Sequence, residues 1–159
     1  MGTNNSFGFW SYSKQFLIAA DAVQSAHDSN AKTSRGIKQI SMFESSLPAY
    51  YLIGHSIELS LKAFLVARGC PVNELRKANK YGHNLDALLS EARRRKLGRE
   101  VTLNRNAEKA IRMLSPTYKG KRLEYMEYGK YRLPQYRFVR AVAKNLLDGL
   151  HQYSSNSKY

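Results

Sequence analysis

The stretch Pro48–Arg68 limits the fold more than any other part of the chain. Tyr51, Ile53, Ile57, Leu61, Phe64 and Leu65 put apolar groups around most of the circumference of a helix. Such a helix needs partners on several sides, which a helical bundle supplies. Pro48 suits a first turn, and Gly69 and Pro71 end the helix. Glu58 and Lys62 interrupt the apolar run, so it reads as a buried core helix rather than a membrane span. The expected fold class is all-α: an antiparallel up-and-down bundle of four to five helices.

The other elements follow from periodicity. A first helix is expected over about Phe9–Ala26, with Tyr12, Phe16, Ala19, Val23 and Ala26 recurring at three- and four-residue steps. Ile37–Ser46 reads as a short helix leading into the central one. Val72–Gly82 is a basic connector with one helical turn. His83 or Asn84 opens the next helix, which carries Leu85, Leu88, Leu89 and Ala92 inward and closes on Arg93–Lys96, cations suited to a C-terminus. A further helix spans about Leu103–Leu114, with Ala107, Ile111 and Leu114 inward. Tyr118–Leu133 lacks helical periodicity and reads as an extended loop or small hairpin. Pro134 starts the last helix, with Phe138, Val142, Leu146, Leu150 and Tyr153 as its stripe and a frayed tail over 154–159. The 159 residues suit one domain, without repeats.

Lys and Arg number 26 against 12 Asp and Glu, a formal net charge of +14. That balance favours a polyanionic partner: RNA, DNA, a nucleotide, an acidic protein or an anionic membrane. Charge alone does not choose among them, and a merely solvated basic surface is the plainer alternative. The single cysteine, Cys70, excludes an intramolecular disulfide and fits a reducing compartment, so a cytoplasmic location is expected, with no membrane partner. Met1–Gly8 is polar and lacks the pattern of a leader. There is no phosphate-cradling Gly-rich loop, no Ser-His-Asp pattern and no Cys-rich zinc spacing, so no cofactor is expected. His55 and Glu58 are three residues apart, as metal ligands can be, but no second pair completes such a site, and no metal is expected.

Two blocks carry a family resemblance. Pro48–Gly69 has an acidic residue and a lysine one turn apart, Glu58 and Lys62, ahead of an apolar run. Gly82-His-Asn-Leu-Asp-Ala-Leu-Leu89 then opens a helix with His, a polar residue and Leu. Together they resemble the HEPN superfamily (higher eukaryotes and prokaryotes nucleotide-binding) over roughly Leu47–Ala92; the rest of the chain is similar in architecture. The resemblance implies a helical bundle, commonly a homodimer. It implies an RNA-targeting protein: a metal-independent endoribonuclease of toxin or defence type, or a non-catalytic module that binds RNA, a nucleotide or a protein such as an antitoxin or a nucleotidyltransferase. Ribonuclease members carry an Arg, usually followed by Asn, Asp or His, and a His a few positions beyond. Here these are Arg76 and His83, with Lys77 departing from the usual polar residue.

Under that resemblance Arg76 and His83 are the catalytic pair, with Glu58 and Asn79 orienting them. At a helix N-terminus the His83 ring is placed to cap backbone amides, and the local dipole favours its neutral, basic form. Glu58 and Lys62, in the favourable order for a helix ion pair, read as structural or orienting. A second cluster holds Lys119, Lys121, Arg122, Lys130, Arg132, Arg137 and Arg140, interleaved with Tyr118, Tyr125, Tyr128, Tyr131 and Tyr136. Cations neutralise phosphates and aromatic rings stack on unpaired bases, so this region is the expected nucleic-acid surface. The alternative is that the tyrosines serve the bundle and the cations solvate it.

Overall fold

The structure, a computed structural model, describes residues 3–33, 45–123 and 131–154. Among them lie six α-helices and no strand: α1 (Thr3–Thr33), α2 (Leu47–Ala67), α3 (Val72–Leu75), α4 (Leu85–Arg94), α5 (Arg105–Lys119) and α6 (Tyr136–Gly149). Short 3₁₀ turns follow at Leu97–Arg99 and His151–Ser154. The all-α reading holds. Most of the expected Ile37–Ser46 helix, the middle of the Tyr118–Leu133 segment and most of the tail fall outside the described residues. No described helix is long and apolar enough to cross a membrane.

The central helix is the axis of the bundle. Ser46 caps α2 by accepting a hydrogen bond from the Ala49 amide, with Pro48 in the first turn. Gly69, at φ +82°, turns the chain away after Arg68. Ile53, Ile57, Leu61, Phe64 and Leu65 are fully buried, as the all-round apolar pattern requires. Helices α1, α4, α5 and α6 all touch α2.

Helix α1 is longer than expected and runs antiparallel to α2: Ser13 meets Ser56 and Ser60, while Gln24 accepts from the Ser46 amide. Its buried seam is Ser6, Ser13, Leu17 and Ala20, with Trp10 partly buried, one position off the expected stripe. Tyr12 of that stripe is exposed. The reason is chemical: polar serines occupy the seam and bond across it. The Ser13 hydroxyl lies 2.6 Å from that of Ser60, and the Ser56 hydroxyl donates to the Ser13 carbonyl at 2.9 Å. Small side chains let the two backbones approach, and each hydroxyl is satisfied. Trp10 is used inside the bundle, its indole donating to the Leu147 carbonyl at 3.0 Å.

After α2 the connector carries the chain back along it, so that α4 begins beside Glu58 and ends near Arg68, where Arg95 donates to the Arg68 carbonyl. Cys70 is buried there, and burial pushes its thiol pKa up. Helix α5 packs antiparallel to α4, with Asp86 meeting Arg112 and Arg93 meeting Glu108. It continues past Pro116 to Lys119, so the loop expected from Tyr118 begins later. Tyr118 stands four residues after Leu114 and seven after Ile111, and burying its ring extends the apolar stripe through the last turn. In α6 the buried stripe is Tyr136, Val139, Val142, Ala143, Leu146 and Leu147, while Phe138 is exposed.

Gly54 of α2 lies directly under the Tyr118 ring; a Cβ there would stand 2.7 Å from Tyr118 Cδ2. Replacing a mid-helix glycine by alanine ordinarily stabilises by about 1 kcal/mol. Here overpacking costs about 1–3 kcal/mol and opposes that gain. Gly54→Ala is therefore expected to lower the melting temperature, measured by thermal unfolding. A higher melting temperature would show that the ring does not press on this glycine.

Candidate functional site

Three elements of sequence meet around one carboxylate. Glu58 lies mid-way along α2 and is 2 % exposed. A lone charge at that depth is costly, so its partners define the site. One turn on, Lys62 donates to Glu58 Oε1 at 2.5 Å. From α5 the Tyr118 hydroxyl donates to Oε2 at 2.5 Å. From the connector His83 Nδ1 lies 3.1 Å from the same oxygen. His55, one turn before Glu58, lies 3.5 Å from Oε2 but 2.8 Å from the Tyr118 hydroxyl, which is its hydrogen-bond partner.

Counting protons fixes the tautomers. Tyr118 has one hydroxyl proton and gives it to the carboxylate, so its oxygen accepts from His55 Nδ1–H. An ionised Glu58 only accepts, so His83 Nδ1 also carries a proton. Both imidazoles are thereby held as Nδ1–H tautomers with Nε2 as the basic nitrogen. Burial alone would raise the Glu58 pKa. The nearby His55 Nδ1–H, the hydrogen bond from His83 and the charge of Lys62 overcome it and hold the carboxyl well below the usual range.

The local backbone serves this arrangement. Asn84, not His83, caps α4, its side chain accepting from the Ala87 amide at 3.1 Å. His83 instead adopts φ +53°, a left-handed conformation that costs a non-glycine residue about 1–2 kcal/mol. Before it, Gly82 closes a tight turn on the Lys77 carbonyl, where a Cβ would come within 2.8 Å of Ala78 Cα. The turn directs the His83 ring towards α2, leaving its side chain 40 % exposed against 22 % for His55. The two rings lie 6.3 Å apart, with Tyr118 edge-on to His83 and Tyr51 stacked on His55.

Of the residues marked from sequence, the structure brings Glu58 and His83 together. Arg76 caps the end of α3 and Asn79 sits in the following turn; both are exposed, and among the described residues neither hydrogen-bonds to the network. His55 and Tyr118 also join the network, where sequence spacing offers only a metal-ligand pair for the one and a place in the basic cluster for the other. His55, Glu58 and His83 each offer a donor atom within 4.8 Å of the others, a set suited to a transition metal. A metal there would have to displace the Tyr118 hydroxyl or the Nδ1 protons.

The basic cluster divides. Tyr125, Tyr128 and Lys130 lie outside the described residues. Lys119, Lys121, Arg132 and Arg137 are exposed. Arg140 is held by both oxygens of Asp21, at 3.0 and 2.8 Å, and Arg122 lies over the Tyr131 ring. Tyr118 and Tyr136 are buried, so their rings serve packing rather than base stacking.

The chain matches no family model, no curated protein and no solved structure.

Because Glu58 titrates far lower in the folded chain than unfolded, its contribution is present above the unfolded value of about 4.3 and is lost as pH falls towards the folded value. Glu58→Gln also strands the buried Lys62 charge. It should destabilise by about 3–5 kcal/mol at neutral pH. Urea unfolding of both proteins checks this: the gap should be widest above pH ~5 and narrow on acidification. A gap independent of pH would show that the carboxylate charge is not what the network stabilises.

Proposed function

We propose that this chain is an RNA-targeting protein that cleaves RNA without a metal, with His83 as general base. The observation that carries this reading is the buried, ionised Glu58 gripping Nδ1 of a half-exposed His83 held in a strained backbone conformation. Carboxylate and imidazole so arranged keep Nε2 basic and oriented. The resemblance of Leu47–Ala92 to the HEPN superfamily supports the same chemistry.

In this mechanism His83 Nε2 takes the proton of a ribose 2′-hydroxyl. The 2′-oxygen bonds to the adjacent phosphorus, and the bond from phosphorus to the 5′-oxygen breaks. The second imidazole, His55, whose Nε2 has taken up a proton from solvent, gives that proton to the leaving oxygen. The products are a 2′,3′-cyclic phosphate and a 5′-hydroxyl. Arg76, on the same connector as His83, supplies charge to the phosphate oxygens. Glu58 and Tyr118 position the two rings and do not react. We further propose a homodimer, in which two such sites serve one strand; Tyr12 and Ile18, exposed on the outer side of α1, supply apolar surface for it.

Single-stranded RNA incubated with the protein in excess EDTA should be cut to fragments with cyclic phosphate ends. His83→Ala and His55→Ala should each lower the rate by about 100-fold or more, with the helical circular dichroism unchanged. Arg76→Ala should lower it less. A 2′-deoxyribose at the cleavage position should block the cut. Full activity in His83→Ala, or cleavage only with added metal, would overturn the mechanism. Binding without cleavage of any RNA would favour a non-catalytic module for RNA, a nucleotide or a protein partner such as an antitoxin or a nucleotidyltransferase.

A further inference from the structure

The outer face of α5 carries a second feature, separate from the Glu58 network. Lys109, Arg112, Met113 and Pro116 follow one another at helical spacing along it. Arg122, just after α5, and Arg132, ahead of α6, form the opposite wall. Between them lies an open cavity of about 460 Å³.

Its charge is one-sided. Four cations line it, and no carboxylate does among the described residues. A cavity of about 530 Å³ beside Tyr50 and Tyr136 is lined in part by Asp28 and lacks this character. Arg112 is already paired with Asp86, and the Arg122 guanidinium lies 4.4 Å from the centre of the Tyr131 ring. Lys109 and Arg132 are exposed, and among the described residues neither pairs with a carboxylate. Two further cations, Lys119 and Lys121, are exposed on the chain between the two walls.

Not all of the lining is charged: Met113 and Pro116 are apolar, and Pro116 is exposed. A site for a free inorganic anion has no use for such a surface. A single-stranded nucleic acid does, because its phosphates need the cations while an unpaired base needs an apolar surface.

We propose that this groove binds single-stranded RNA, with Lys109 and Arg132 holding successive phosphates and a base lying on Met113 and Pro116. The proposal deepens the RNA reading above and rests on it for the choice of RNA. Binding is measured without cleavage, so it can fail while the histidine mechanism stands, and the reverse.

The test is filter binding of the full chain to a single-stranded 2′-O-methyl oligonucleotide of about 12 nucleotides, which cannot be cut through a 2′-hydroxyl. The double variant Lys109→Glu with Arg132→Glu should bind about tenfold more weakly or worse at low salt. Its plot of log affinity against log salt should be shallower by about 1.4 for two lost contacts. Lys14→Glu with Arg99→Glu removes the same charge elsewhere and should bind nearly as wild type. If charge reversal impairs folding, Lys109→Gln with Arg132→Gln makes the same comparison. Equal weakening by both pairs would assign binding to overall charge and overturn the site. So would the absence of binding at low salt. Displacement by polyglutamate as effective as by unlabelled oligonucleotide would also overturn it, in favour of an acidic protein.

Discussion

The buried negative charge of Glu58 is the constraint on which the rest of this structure turns. An ionised carboxylate inside an apolar helix must be met by donors, and α2 alone supplies only Lys62 and, through Tyr118, His55. The remaining donors come from α5 and from the connector, 60 and 25 residues further along the chain. Satisfying one side chain therefore fixes the depth of α5, the return path after α2 and the place where α4 begins. It also explains why His83 tolerates a left-handed backbone: the hydrogen bond to a charged acceptor, worth about 1.5–3 kcal/mol, outweighs the strain.

Polar groups do the same elsewhere in smaller steps. The serines between α1 and α2 bond to one another across the seam, and the Tyr50 hydroxyl reaches the Pro134 carbonyl at 2.8 Å. Among the described residues no buried side-chain nitrogen or oxygen lacks a partner. A core assembled this way specifies its register by hydrogen bonds as well as by shape, because sliding one helix past another would orphan several of them at once.

How much of this could be read from sequence depended on whether apolar residues marked the buried face. In α2 they did, and its bounds are within a residue or two of the expectation. In α4 the Leu85, Leu88, Leu89 and Ala92 stripe was equally plain. In α1 the seam is written partly in serine, so periodicity of apolar residues pointed one position aside. In α6 Phe138 and Val139 compete for the core, and the smaller residue wins it. Pro116 hid the last turn of α5, and with it Tyr118. The pairing of Glu58 with a connector residue was legible as a need, since a buried carboxylate seeks a donor. The inclusion of His55 and Tyr118 was not, because nothing local to either residue announces a partner 63 positions away.

The indole of Trp10 has a consequence for how folding of this chain can be watched. It is the only tryptophan, and its N–H bonds to the Leu147 carbonyl across 137 residues of sequence. Its emission therefore reports the docking of the first helix on the last. The eleven tyrosines scattered through the chain are natural donors of excitation to it. Closure of the bundle can thus be timed optically, separately from the growth of helix seen in the far ultraviolet, with no label attached.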